Sequence, residues 1–273
     1  MNRFSDLLLP LVALVSFLLL LTGPANSQAS DWSTTELFYQ NGRLSTPDFA
    51  GGGKHQTTVI TLQHASGWSY GDNFFFIDHL NDSNEDSFSD NALYGELYMN
   101  FSLGKIFAHK FALGSVKDVG LVMGINTDSD ANVMKYLPGL RLSWQLPGFA
   151  FLNTDFTAYM DDSDGVKAGT GNAPSEGDSF MIDISWAYPF SVGGYDFSIE
   201  GHMEYIDERQ NQFGAEIKSW FLAQPQFRFD LGKALTGREK TLFVGVKWQY
   251  WQNKLGEGST DENALMALVV WRL

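Results

Sequence analysis

The chain of 273 residues contains no cysteine, which excludes disulfides, thiol catalysis and Cys-ligated zinc. Basic residues are scarce, with 18 Lys and Arg against 32 Asp and Glu and a formal charge of −14. That balance argues against non-specific binding to nucleic acid. No Gly-rich phosphate loop precedes a helical pattern, and His55, His79, His109 and His202 show no spacing of the H-E-x-x-H kind. No repeat of solenoid period, block of five like charges or Pro/Ser/Gly-rich linker divides the chain, so one domain is expected.

Long apolar runs are missing too, except at the start. Leu7 to Leu21 is apolar apart from Pro10 and Ser16. Its 15 residues are short for a bilayer span and suit the core of a signal peptide. Ser27-Gln28-Ala29 fits cleavage after Ala29, and Ala25-Asn26-Ser27 fits cleavage after Ser27. Residues 1–29 are therefore expected to be a targeting segment and 30–273 the mature domain. An uncleaved anchor is the competing reading. Nothing after residue 30 approaches an 18-residue apolar stretch.

What the chain has in quantity is aromatic residues, 22 Phe, 10 Tyr and 8 Trp, set in alternating runs. Thr57 to Leu80 reads as a hairpin. β-Branched and aromatic residues fill its two arms, with Ser66-Gly67 and Gly71-Asp72-Asn73 between them. Its second arm is aromatic on both faces and then carries Asp78, so both faces need cover and the carboxylate needs water or a partner. A water-filled barrel in lipid meets both needs. Period-two alternation recurs elsewhere. Tyr94, Glu96, Tyr98 and Asn100 oppose Leu93, Leu97, Met99 and Phe101; Glu200, His202 and Glu204 oppose Ile199, Met203 and Tyr205.

Twelve strands are predicted, at 32–40, 55–66, 69–80, 91–103, 116–126, 132–146, 149–161, 178–189, 194–207, 217–231, 240–252 and 262–273. Their lengths suit membrane strands. Connections after odd strands are mostly long and acidic, and those after even strands mostly compact. An even count with long outer loops and short periplasmic turns is the pattern of bacterial outer-membrane barrels. The expected fold is thus an all-β, transmembrane, antiparallel up-and-down barrel. A soluble sandwich or lipocalin-like barrel is the alternative. Pro138 and Pro225 fall inside predicted strands and should each cost a ladder bond or mark a bulge. The chain ends Trp271-Arg272-Leu273, placing its last aromatic two residues before the terminus.

The hairpin Gly67-Trp68-Ser69-Tyr70-Gly71-Asp72-Asn73-Phe74-Phe75-Phe76-Ile77-Asp78 resembles the Tsx family of nucleoside-specific outer-membrane channels, including its OmpK-like branch. So do Tyr94-Gly95-Glu96-Leu97-Tyr98, Phe101-Ser102-Leu103-Gly104-Lys105, Gly114-Ser115-Val116-Lys117-Asp118, Tyr136-Leu137-Pro138-Gly139 and the segment from Gln249 to Leu273. The resemblance covers nearly all of the mature chain. It implies a twelve-stranded monomeric barrel in the bacterial outer membrane, whose narrow lumen passes nucleosides and whose outer loops can serve phage as a receptor. No cofactor is expected, and the resemblance does not align individual nucleoside contacts.

With the apolar faces turned to lipid, the lumen is expected to hold Gln63, Phe74, Phe76, Asp78, Tyr94, Glu96, Tyr98, Asn100, Arg141, Asp155, Tyr159, Asp183, Glu200, His202, Glu204, Arg228, Lys247 and Trp251. Lys or Arg on the lipid side would cost about 2–4 kcal/mol at the midplane, which sends Arg228 and Lys247 inside. The candidate ligand-binding set is Phe74, Phe76, Asp78, Tyr94, Glu96, Tyr98, Glu200, Glu204, Arg228 and Lys247. Aromatic rings can stack on a base, while charged groups bond sugar hydroxyls and base edges. The bland reading is that the charges pair across the lumen and simply fill it. His202 beside Glu200 and Glu204 reads as a luminal polar ladder rather than a metal site.

Two other classes stand against a channel. His64-Ala65-Ser66 has the His-x-Ser spacing of outer-membrane lipid hydrolases, with Asp78 on the next strand. His64 shares its face with Ile60 and Leu62, however, whereas Asp78 belongs to the lumen, so the acid would orient nothing. No catalytic residues are expected. The second class is a barrel acting as a surface receptor or adhesin through its acidic outer loops.

Overall fold

The computed structural model describes residues 31–84, 88–167 and 172–273. The expected signal segment and its cleavage sites lie outside them. Twelve barrel strands run in chain order: β1 (Trp32–Ser45), β2 (Lys54–Trp68), β3 (Gly71–Asp82), β4 (Asp90–Ser102), β5 (Val116–Asp128), β6 (Val133–Trp144), β7 (Phe151–Asp161), β8 (Ser179–Val192), β9 (Tyr195–Ile206), β10 in two pieces (Trp220–Ala223 and Gln226–Asp230), β11 (Leu242–Gln252) and β12 (Glu262–Arg272). Each pairs antiparallel with its neighbours in sequence, and β1 closes on β12 from Glu36↔Arg272 to Gly42↔Met266. Closure leaves no open sheet edge, which is what lets strands sit in lipid with every backbone group paired. No helix among the described residues is long and apolar enough to cross a membrane.

Side chains alternate as the sequence pattern requires. On β6, Tyr136 and Leu140 are exposed on the outer wall, while Lys135, Leu137 and Arg141 are buried. Outward-facing Leu37, Leu121, Met123, Phe156, Ile199 and Val246 continue a greasy belt around the barrel. In water so much apolar surface would be a liability; in the hydrocarbon layer it is the solvent match.

Both prolines do what a ladder demands of them. Pro138 pairs with Met123 on one side, but neither it nor Leu137 has a β7 partner: the β6–β7 ladder is interrupted between Tyr136↔Met160 and Gly139↔Thr157 with its register unchanged. Pro225 splits β10, and Gly201 of β9 absorbs the distortion at φ 149°. A Cβ on Gly201 would lie 2.4 Å from the Gln224 carbonyl oxygen.

Two of the connections after even strands start as short helices, α1 (Leu103–Ile106) and α2 (Leu231–Thr236). Ser102 Oγ accepts from the Lys105 amide in the first, and Asp230 accepts from the Lys233 amide in the second. Such N-caps are local signals. The Lys233 ammonium of α2 donates to Asp196 at 2.7 Å and meets Glu239 at 3.0 Å. The Asp196 hydrogen bond, then that to Glu239, holds it above the usual lysine range.

The connections at the opposite end are joined to one another. Glu257 accepts from the amides of Asp48 and Phe49 at 2.7 and 3.2 Å. The Gln212 side chain accepts from the Val166 and Ser175 amides. Beneath them Lys135 donates to Asp161 and Glu176, and Arg209 donates to Glu176 at 2.7 Å.

Candidate functional site

The whole candidate set faces the lumen, carried there by the pleats of β3, β4, β9, β10 and β11. Phe74 and Phe76 stand two apart on β3, with ring centroids 6.1 Å apart, and Tyr94 of β4 lies 5.9 Å from Phe76. These three half-buried rings form a rail along one wall. Polar groups flank it. Asp78 pairs with Tyr94 in register and accepts from Thr61 at 2.5 Å, and Thr61 accepts from Gln40 at 2.9 Å. Tyr94 Oη donates to Glu96. An aromatic face beside acceptor oxygens is a surface on which a flat, hydroxylated solute can stack and hydrogen-bond.

Tyr98 has a different role from Tyr94. It packs against a luminal cluster of Leu137, Tyr159, Met181, Ile206 and Trp220, which Ile217 and Trp251 also join, and it donates to Asn126 at 3.2 Å. That cluster draws side chains from β4 and from β6 through β11. Arg209 caps it, its guanidinium 5.1 Å from the Tyr159 ring centroid and 4.4 Å from that of Trp220. The ring of Tyr98 is thus committed to packing, whereas Phe76 and Tyr94 stand outside that cluster.

Arg228 and Glu200 are also committed. Arg228 lies between Glu200 at 3.0 Å and Glu36 at 3.4 Å, with Gln226 accepting from two of its nitrogens; Arg272 closes on Glu36 at 2.7 Å. Arg141 holds Asp155 in a bidentate pair at 2.7 and 2.6 Å and reaches Asp72 at 3.0 Å. The bland reading therefore holds for these residues: their charges fill and brace the barrel. Lys247 is buried and acts electrostatically on Asp78 and Glu262. Glu204 accepts from the Trp220 indole at 3.3 Å. Asp78, Glu96, Asp183 and Glu204 have no Lys or Arg within 4.0 Å among the described residues. In the central lumen carboxyl groups consequently outnumber basic side chains, with Lys247 and His202 beside them.

Sequence reading missed the apolar part of the interior. Phe38, Leu44, Val59, Met266, Leu268 and Val270 point inward and pack in two clusters with Phe243, Ala264 and Leu80. On β12 both faces are apolar, so alternation carries no sign there; only the strict buried–exposed alternation in the structure assigns the faces.

His64 and Ser66 lie on the outer wall, as expected. His64 Nε2 is 3.2 Å from Ser66 Oγ and its Nδ1 is 2.8 Å from Thr35 Oγ1. Ser66 donates its hydroxyl proton to Asn73 Oδ1 at 2.8 Å, so it offers no proton to His64. Asp78 bonds to Thr61 inside the barrel. The nucleophile–base–acid arrangement that hydrolysis needs is not assembled.

One more group emerges from the geometry. Donor atoms of Asp183, His202 and Glu204 lie within 4.8 Å of one another on the luminal faces of β8 and β9.

No protein-family model and no curated protein matches the sequence. Solved structures do match in shape. A NanC porin superposes with a TM-score of 0.52 at 12% identity, covering 87% of this chain and 100% of that one. A KdgM porin gives a TM-score of 0.46 at 8% identity over 86% and 98%. An outer membrane channel from Pseudomonas putida F1 gives 0.46 at 8% over 92% and 99%. At these identities the likeness is one of fold. Together with the closed ring and its apolar belt, it identifies the chain as a twelve-stranded β-barrel of the bacterial outer membrane, built on the architecture of porins.

Proposed function

We propose that the barrel is a passive channel whose preferred solutes are nucleosides. The observation that carries this reading is the luminal rail of Phe74, Phe76 and Tyr94 set beside Asp78 and Glu96. A base can stack on the rail, and the sugar hydroxyls can donate to the carboxylates. Each stack is worth about 1–3 kcal/mol, enough for transient binding and too little to trap the solute. The resemblance to nucleoside-specific channels agrees with this chemistry. Discrimination follows from charge. Arg141 and Arg228 are held by carboxylates, while Glu96, Asp183 and Glu204 have no Lys or Arg within 4.0 Å among the described residues, so a phosphate meets repulsion in a confined space of low effective dielectric.

The test is planar-bilayer conductance with adenosine, thymidine and their monophosphates. Nucleosides should block ion current saturably and monophosphates much less. Phe76→Ala should raise the half-blocking concentration without closing the pore. Equal block by both classes, or none by either, would leave a general diffusion pore or a surface receptor as the better account.

A further inference from the structure

We infer that Asp183, His202 and Glu204 form a binding site for a divalent transition-metal ion of the zinc class in the lumen wall. The argument starts from a chain of hydrogen bonds with one polarity. Lys254 Nζ donates to Glu262 at 2.7 Å, which fixes one end of the chain as a carboxylate. Gln249 Nε2 donates to the other oxygen of Glu262. Gln224 Nε2 donates to Gln249 Oε1 at 2.8 Å. The amide of Gln224 is thereby oriented, and its Oε1 must accept, at 3.0 Å, from His202 Nε2. So His202 carries a proton on Nε2, and its Nδ1 is the atom left for the lumen.

What Nδ1 faces is Asp183 Oδ2, at 3.2 Å. At that distance the two atoms share one positive centre, a proton on Nδ1 or a metal ion that displaces it. Two donors each about 2.1 Å from a tetrahedral ion stand roughly 3.4 Å apart, close to the spacing here. Glu204 is the Cα partner of Asp183 across β8 and β9, and its carboxylate completes a set within 4.8 Å. Among the described residues no Lys or Arg lies within 4.0 Å of these carboxylates. One imidazole nitrogen with two carboxylates suits zinc, copper or nickel, and three protein donors leave coordination positions open to the lumen. The Gln224 carbonyl supplies the outer hydrogen bond that metal-bound histidines commonly make.

The test is calorimetric titration of Zn2+ into tag-free, chelator-treated barrel folded in detergent, with Cu2+ electron paramagnetic resonance on the same preparations. One saturable site per chain is expected, with a single imidazole nitrogen in the copper spectrum. His202→Gln should abolish both signals, Gln224→Ala should weaken binding roughly 10–100-fold, and His64→Ala should change neither. Each variant is first shown to be folded by its boiling-dependent gel shift, and Asp183→Asn replaces His202→Gln if the latter does not fold. Absence of saturable binding in the wild type would mean that a proton alone joins His202 to Asp183, and the site would be rejected. Binding that survives in folded His202→Gln or Asp183→Asn would reject it equally.

Discussion

Arg228 illustrates how a narrow lumen treats its charges. Its side chain is 3% exposed, as is that of Glu36, and the pair is extended by Glu200 and Arg272. A buried pair adds little over a well-packed apolar substitute, but removal of one partner leaves an uncompensated charge. Arg228→Met should therefore destabilise the barrel by about 3 kcal/mol, read as a lower denaturant midpoint for the detergent-folded protein. The period-two pattern sent Arg228 to the lumen and so made its position legible. Its partner Glu36 was not legible, because it lies 192 residues away and meets Arg228 only across the closed barrel. Tyr94 and Tyr98 make the same point. Both are luminal by spacing, yet only packing shows that one belongs to an open aromatic rail and the other to the Leu137–Trp220 cluster.

Among the elements, strand β10 is the irregular one. Pro225 has no amide to give the ladder, and the strand breaks between Ala223 and Gln226. Gln224 lies at the break and faces inward on the same parity as Leu222 and Gln226, where it joins His202 to Gln249. Gly201 opposite has no Cβ to strike the displaced Gln224 carbonyl, and its φ is one that L residues rarely adopt. Gly201→Ala should cost about 1–3 kcal/mol of stability, measured by the same denaturant titration. A smaller effect would mean that β9 relaxes away from the break. The proline was readable as a ladder defect in advance. The glycine that accommodates it was not, because one glycine in an alternating strand is indistinguishable from another until the partner backbone is placed.

At the scale of the molecule, lipid outside and a polar, partly apolar interior set the rules for substitution. Leu140 faces outward from the middle of β6. Leu140→Arg should lower the free energy of folding into lipid vesicles by about 2–4 kcal/mol, measured by equilibrium unfolding in urea. The outer mouth offers a second test. Glu176 bridges Lys135 and Arg209, and with them the connections after β7 and β9. Glu176→Gln should loosen that cover and raise single-channel conductance, with the boiling-dependent gel shift retained. Unchanged conductance would place the narrowest point deeper, at the Leu137–Trp220 cluster.

Alternation, turn residues and loop lengths were enough for the sequence alone to determine the twelve strands, their order and, wherever one face is polar, the face each presents to lipid. Those features are local: a pleat fixes side by parity, and a short turn fixes antiparallel neighbours. Even the separation of His64 from Asp78 follows from parity. Only the tertiary structure decided which luminal charges cancel, which stay uncompensated, that the interior along β1 and β12 is apolar, and that Asp183, His202 and Glu204 converge. Those outcomes depend on distances across the closed barrel. Strand tilt, shear and the ladder breaks at Pro138 and Pro225 set those distances, and none of them leaves a periodic trace in the sequence.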